Sequence, residues 1–162
     1  MAEWRENLID DDDGLKRILA EARTIAVLGA KAGAGEPAYY VPAYLAAQGY
    51  RILAVNPHLR GRSVHGVPAV DSVADLRDPV DVVEVFRAPE HLAAHAEEIL
   101  AMRTPPRVVW FQLGIRNDTA AERLARAGIR VVQSRCMMPE HGRLLLFAPH
   151  SDRSGERAWP RS

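Results

Sequence analysis

The chain predicts an α/β fold: a doubly wound parallel sheet of about five strands, in the order 3-2-1-4-5, forming a single domain. Three observations carry this. Apolar runs at 25–28, 51–55, 79–86, 107–111 and 129–132 lack the polar alternation of a half-exposed strand, which suits strands covered on both faces. Helical patterns or capping residues fall between most of them, as crossovers between parallel strands require. Each run also ends in a polar or glycine-containing loop, and on such sheets ligands bind outside the carboxyl ends of the strands.

A length of 162 residues with 48% hydrophobic content accommodates one sizeable core. The expected division is an acidic N-terminal segment at 1–14, a domain at 15–150 and a flexible tail at 151–162 that holds Trp159. The 21 basic and 21 acidic residues cancel without gathering on one face, so neither nucleic acid nor a membrane surface is an expected partner. The single cysteine, Cys136, excludes a disulfide framework and a multi-cysteine zinc site, and it suits a reducing compartment. No apolar run nears the roughly 18 residues of a membrane span, and the first residues are acidic where a signal peptide is basic and then apolar. The expected location is cytoplasmic.

Asp10 to Asp13 precede a helix whose Leu15, Ile18, Leu19 and Ala22 share one stripe. Their spacing is not that of a calcium loop, so they read as an N-cap and a complement to the helix dipole. The stretch from Thr24 to Tyr50 is strand, glycine-rich turn and helix. Gly29, Gly33 and Gly35 allow a tight turn, and the helix that follows aims its free amides and positive dipole end at the same place, a geometry for an anion. The second strand ends in a basic loop, Asn56 to Arg62. Residues 64–70 read as a short extended excursion, and 71–76 as a brief helix capped by Asp71.

In the third strand Glu84 interrupts an apolar run, which reads as a charge guarding a sheet edge. Pro89 opens a helix through Ala101, where His91 and His95 stand one turn apart. Without the glutamate of zinc proteases between them they read as two surface imidazoles, and no metal is expected. Gln112 to Asn117 turn the chain after the fourth strand. Asn117 or Asp118 caps the next helix, Gly128 ends it, and Ser134-Arg135-Cys136 follow the fifth strand.

Counted from Gly29, the dinucleotide fingerprint would need glycines at Lys31 and Ala34, so it is absent. Asn56 stands where an NAD site places an acid, with His58, Arg60 and Arg62 behind it, which suits a phosphorylated ribose as in NADP or coenzyme A. Lys31 lacks the Ser or Thr that follows the lysine of a P-loop.

The ordered segments TIAVLGAKAGAGEPAYYVPAYLAAQGYRILAVNP, VDVVEVFRAPE, VVWFQLGI and SRCMMPEH closely resemble the small stand-alone CoA-binding proteins. These are similar to the CoA-binding domain of the succinyl-CoA synthetase alpha subunit and of related acyl-CoA synthetases. The resemblance spans about residues 15–146 and implies a Rossmann-like fold that holds coenzyme A. It further implies that Gly29, Ala30 and Lys31 face the pyrophosphate, with Tyr40 and Val41 closing around it. Asn56, Pro57 and His58 would border the ribose phosphate, helped by Arg60 or Arg62. Phe86, Arg87 and Ala88 would line the adenine side, and Gln112, Gly114 and Ile115 the pantetheine arm. Many members carry Ser-Pro where this chain has Lys31-Ala32, so here a charge replaces a hydroxyl.

No nucleophile elbow or triad is legible, so a binding protein for CoA or acyl-CoA rather than an enzyme is expected. Cys136 is the one candidate for thiol redox chemistry, with Arg135 beside it to favour the thiolate. An NADP-dependent oxidoreductase and the CoA-binding subunit of a multi-chain ligase remain as alternatives, and a partner protein or a homodimer stays open.

Overall fold

The computed structural model describes residues 2–146, so the expectations for the tail at 151–162 and for Trp159 lie outside the described residues. The first helix, α1 (Asp12–Glu21), starts where Asp11 accepts a hydrogen bond from the Gly14 amide at 3.1 Å. Asp12 and Asp13 sit in its first turn against the positive dipole end, and Leu15, Ile18 and Leu19 are buried. The aspartates therefore act as the sequence suggests.

Five parallel strands follow: β1 (Thr24–Leu28), β2 (Arg51–Val55), then β5 (Val82–Val85), β6 (Val108–Phe111) and β7 (Arg130–Val132). Between β2 and β5 a small antiparallel hairpin, β3 (Ser63–Val64) and β4 (Val67–Pro68), accounts for the extended excursion. The helices are α2 (Pro37–Ala47), α3 (Leu92–Leu100), α4 (Asp118–Arg126) and α5 (Met137–His141). α1, α2 and α5 share one core with Val27, Val82 and Trp110. α3 and α4 share the other with Leu28, Val85 and Phe111. Both faces are thus covered, which is why the strands read as continuous apolar runs. No helix among the described residues is long and apolar enough to cross a membrane.

The doubly wound class is as expected, but the strand order is not. The sheet runs β2-β1-β5-β6-β7, so the third long strand lies beside β1 instead of outside β2. The chain makes one crossover from β1 to β2, then returns past β1, and the topological switch falls between β1 and β5. This corrects the reading of Glu84. It stands on an inner strand, in register between Val27 and Trp110, and is fully buried rather than guarding an edge.

A second correction concerns residues 71–76. One 3-10 turn, Val73–Asp75, is capped by Ser72, whose hydroxyl accepts from the Ala74 amide while the Asp75 carboxylate accepts from the Ser72 amide. Asp71 instead forms a two-point ion pair with Arg60. Of the two candidates for the α4 cap, Asn117 does it, accepting from the Ala120 amide at 2.9 Å. Gly128 ends that helix region with φ +92°, a conformation that disfavours any side chain.

Candidate functional site

The turn after β1 is built from both sides. Gly29 has φ +89°, and a Cβ there would stand 2.9 Å from the Phe86 carbonyl and 3.1 Å from Cδ of Arg87. Only glycine lets β1 turn this close to β5. Farther along, Pro42 inside α2 has no amide to give the Ala38 carbonyl one turn back. That carbonyl accepts instead from the Lys31 amide at 3.3 Å, so a proline in the helix ties the glycine-rich loop to it. Lys31 itself is exposed, its Nζ 3.9 Å from Glu36, so an anion at this turn competes with a carboxylate for the lysine.

Asn56 joins the turns after β1 and β2. Its Nδ2 donates to the Ala30 carbonyl at 2.8 Å and its Oδ1 accepts from the His58 amide at 2.9 Å, with the residue 7% exposed. With one hydrogen bond made at each end of its amide, Asn56 ties the two turns together and shapes the site. Asn56→Ala strands a buried carbonyl and an amide. The expected outcome is a loss of about 2–3 kcal/mol in urea unfolding, with weaker ligand binding by calorimetry. Unchanged stability would show that water replaces the side chain at no penalty.

A cleft of about 190 Å³ opens at the ends of β1 and β2, beside the switch point. It gathers five of the residues expected from sequence: Gly29, Asn56, Pro57, His58 and Arg87. It adds four polar residues that the sequence did not single out for the site, Asp71, Ser72, His95 and Glu98, and the apolar Leu28 and Val55. A larger hollow of about 590 Å³ lies between Val73–Pro79 and Ala101–Thr104, at the amino ends of β5 and β6. The smaller one is the better candidate because the strand carboxyl ends meet there.

The remaining expected residues lie outside this cleft. Ala30 and Val41 are buried in the core, Phe86 is half-buried with its amide on the Leu28 carbonyl, and Ala88 and Tyr40 are exposed. Gln112, Gly114 and Ile115 form a second cluster where β6 and β7 end. There the Gly114 amide donates to Ser134 Oγ at 3.1 Å, and the Met137 amide to the buried Gln112 side chain at 3.2 Å. Cys136 is half-buried at the start of α5. The guanidinium of Arg135 turns away to Asp10 and Glu140, so the expected help to a thiolate is committed elsewhere. Burial of Glu84, whose carboxyl oxygens have no partner, pushes its pKa up to about 8.

The reading of two surface imidazoles holds for His91 but not for His95, whose side chain is 16% exposed. Nε of Arg87 donates to His95 Nε2 at 3.2 Å, and His95 Nδ1 lies 2.9 Å from Glu98. The signal was present as a His-Glu pair three residues apart beside the buried Leu92, Ala96 and Ile99 stripe. Among the described residues no group of three metal-ligating side chains comes together.

A family model described as CoA binding domain matches residues 23–142, from the start of β1 to the end of α5. The chain belongs to this CoA-binding domain family. Among its relatives is the uncharacterized protein YneT of Bacillus subtilis (strain 168), 34% identical over 127 residues that cover 78% of this chain and 91% of YneT. Two solved structures share the fold at high similarity. Cell-free ID.343 from Thermus thermophilus is 48% identical with a TM-score of 0.80, over 84% of this chain and 100% of the other. A hypothetical protein from Pyrococcus horikoshii OT3 is 34% identical with a TM-score of 0.77, over 84% and 93%. Family membership supports a CoA-binding role, and the resemblance drawn from the sequence segments stands.

The residues present fit such a ligand. The missing Cβ at Gly29 lets the Phe86 carbonyl and the Arg87 stem close against the β1 turn, and the cleft beside them has room for one end of a long nucleotide.

Proposed function

We propose that this protein is a binding module for coenzyme A or an acyl-CoA, without catalytic machinery of its own. The observation that carries the reading is the cleft at the switch point of a CoA-binding domain family member, formed by the turns after β1, β2 and β5. In this reading Gly29, Ala30 and Lys31 meet the pyrophosphate, Tyr40 and Val41 support the helix beside it, and Asn56 holds the two turns in register. Pro57 and His58 border the ribose, while Phe86, Arg87 and Ala88 lie on the adenine side. The pantetheine arm runs past Gln112, Gly114 and Ile115 toward Cys136. A mixed disulfide between that thiol and an oxidised CoA is a side reaction this path allows, not the proposed function.

What supports the lack of catalysis is the commitment of the polar groups. Arg135, Gln112, Asn56 and Ser134 all serve hydrogen bonds that shape loops, and among the described residues no serine or cysteine is hydrogen-bonded to a histidine. Calorimetric titration with CoA, dephospho-CoA and NADP at one salt concentration tests the reading. CoA is expected to bind and NADP to give no heat. Binding of NADP alone would move the assignment to a hydride-transfer enzyme.

A further inference from the structure

We propose that His95, held by Glu98, orients Arg87 as a platform for the purine ring of the bound nucleotide. This rests on the nucleotide-binding reading above and assigns a role to two residues of α3 that neither the sequence segments nor the family match singles out.

Hydrogen-bond logic fixes the arrangement. His95 Nε2 accepts from Arg87 Nε at 3.2 Å, and an accepting ring nitrogen carries no proton. The ring proton is therefore on Nδ1, where it is donated to Glu98 at 2.9 Å. One tautomer satisfies both contacts, and the carboxylate holds it. At the other end of the side chain, Cγ and Cδ of Arg87 lie 3.2 and 3.1 Å from where a Gly29 Cβ would stand, so the stem rests on the β1 turn.

A long, rotamer-rich side chain is thus held at its stem and at Nε before any ligand arrives, which spares the ordering entropy that a loose arginine would lose on binding. The bond at Nε lies in the guanidinium plane. It leaves Nη1, Nη2 and the planar faces for another group, and among the described residues no side chain pairs with those nitrogens.

The charges of the cleft choose between a phosphate and a base. Arg60, the other arginine beside it, is closed onto Asp71 by two hydrogen bonds, and Glu98 adds a carboxylate. Two arginines, Arg87 and Arg60, stand among two carboxylates, Glu98 beyond His95 and Asp71 on Arg60, so the charges balance and leave no surplus for a phosphate dianion. Leu28, Val55 and Pro57 contribute apolar wall, and a space of about 190 Å³ suits a flat ring. A guanidinium face stacks on such a ring.

Titration with CoA and with adenosine 3',5'-bisphosphate, its nucleotide end, tests this in a double-mutant cycle. His95→Phe removes the acceptor and should weaken both ligands about tenfold, whereas in an Arg87→Ala background the same change should have no further effect. His95→Gln offers an amide oxygen near Nε2 and should restore most of the affinity. The losses should persist at high salt, since stacking is not screened as a phosphate contact is. If His95→Phe does not fold, Glu98→Ala, which frees the tautomer, replaces it in the cycle. Equal losses in both backgrounds, or losses that vanish at high salt, would overturn the assignment while leaving the binding module standing. Wild-type protein that binds neither ligand would overturn the nucleotide reading itself, and this proposal with it.

Discussion

Stability should fall between about pH 4.5 and pH 8, and replacing Glu84 by glutamine should abolish that fall. Glu84 is fully buried between Val27 and Trp110, with neither oxygen hydrogen-bonded, and burial raises its pKa to about 8. The sign follows from where the proton is held. Below pH 4.5 both folded and unfolded chains carry it. Above that the unfolded chain ionises while the folded one keeps its proton, so unfolding becomes easier by up to about 1.4 kcal/mol per pH unit until the folded pKa is passed. The total approaches ~5 kcal/mol, a large share of the stability of a domain this size.

Glutamine keeps the shape and polarity but cannot ionise, so the two proteins should unfold alike at pH 4.5 and diverge steadily above it. Urea unfolding of both from pH 4.5 to 9 reads the difference. Parallel curves would mean that water or a neighbour solvates the carboxylate.

Gly29→Ala should be nearly as severe, and it should affect ligand binding as well as stability. A φ of +89° strains any side chain, and the new Cβ would stand 2.9 Å from the Phe86 carbonyl, whose strand is fixed by pairing on both sides. A loss of about 2–4 kcal/mol is expected from strain and clash together. Because relief requires moving the turn or the Arg87 stem, CoA affinity should fall even at temperatures where the variant is fully folded. Thermal unfolding and CoA titration on one preparation check this. A variant that loses stability but binds CoA normally would separate the turn from the site.

Much of this architecture was legible because local chemistry and tertiary role agree. Ile25, Val27 and Val82 belong to continuous apolar runs since helices cover both sheet faces. Asp11, Asn117 and Gly128 mark helix ends by hydrogen bonds and backbone angles that involve only nearby residues. The order of the strands was not legible. Whether β5 lies beside β1 or outside β2 depends on the path between 56 and 81, and no residue in that path encodes which side it passes. Glu84 was misplaced for that reason alone, since a carboxylate is ordinary on an edge and costly inside.

At the site, the glycine turn and the loops after β2 and β5 were visible as segments. The partners their side chains choose were not. Arg60 could have faced a phosphate, but Asp71 lies eleven residues on and claims it. His95 looked like one half of a surface pair because its neighbours in sequence hide its neighbour in space, Arg87.

The ion pairs that join the start of α1 to the residues on either side of α5 set a condition on how the chain acquires its structure. Arg143 grips Asp12 from 131 residues away, and Arg135 grips Asp10 from 125 away. Leu15, Ile18 and Leu19 bury themselves in the same core as Met137 and Leu144. α1 precedes α5 in the chain, so the part of its cover that comes from Met137 and Leu144 is translated long after it. Its packing is complete only once those residues have emerged. Such contacts between distant positions slow folding through loop-closure entropy. The packing of α1 is therefore finished late in folding.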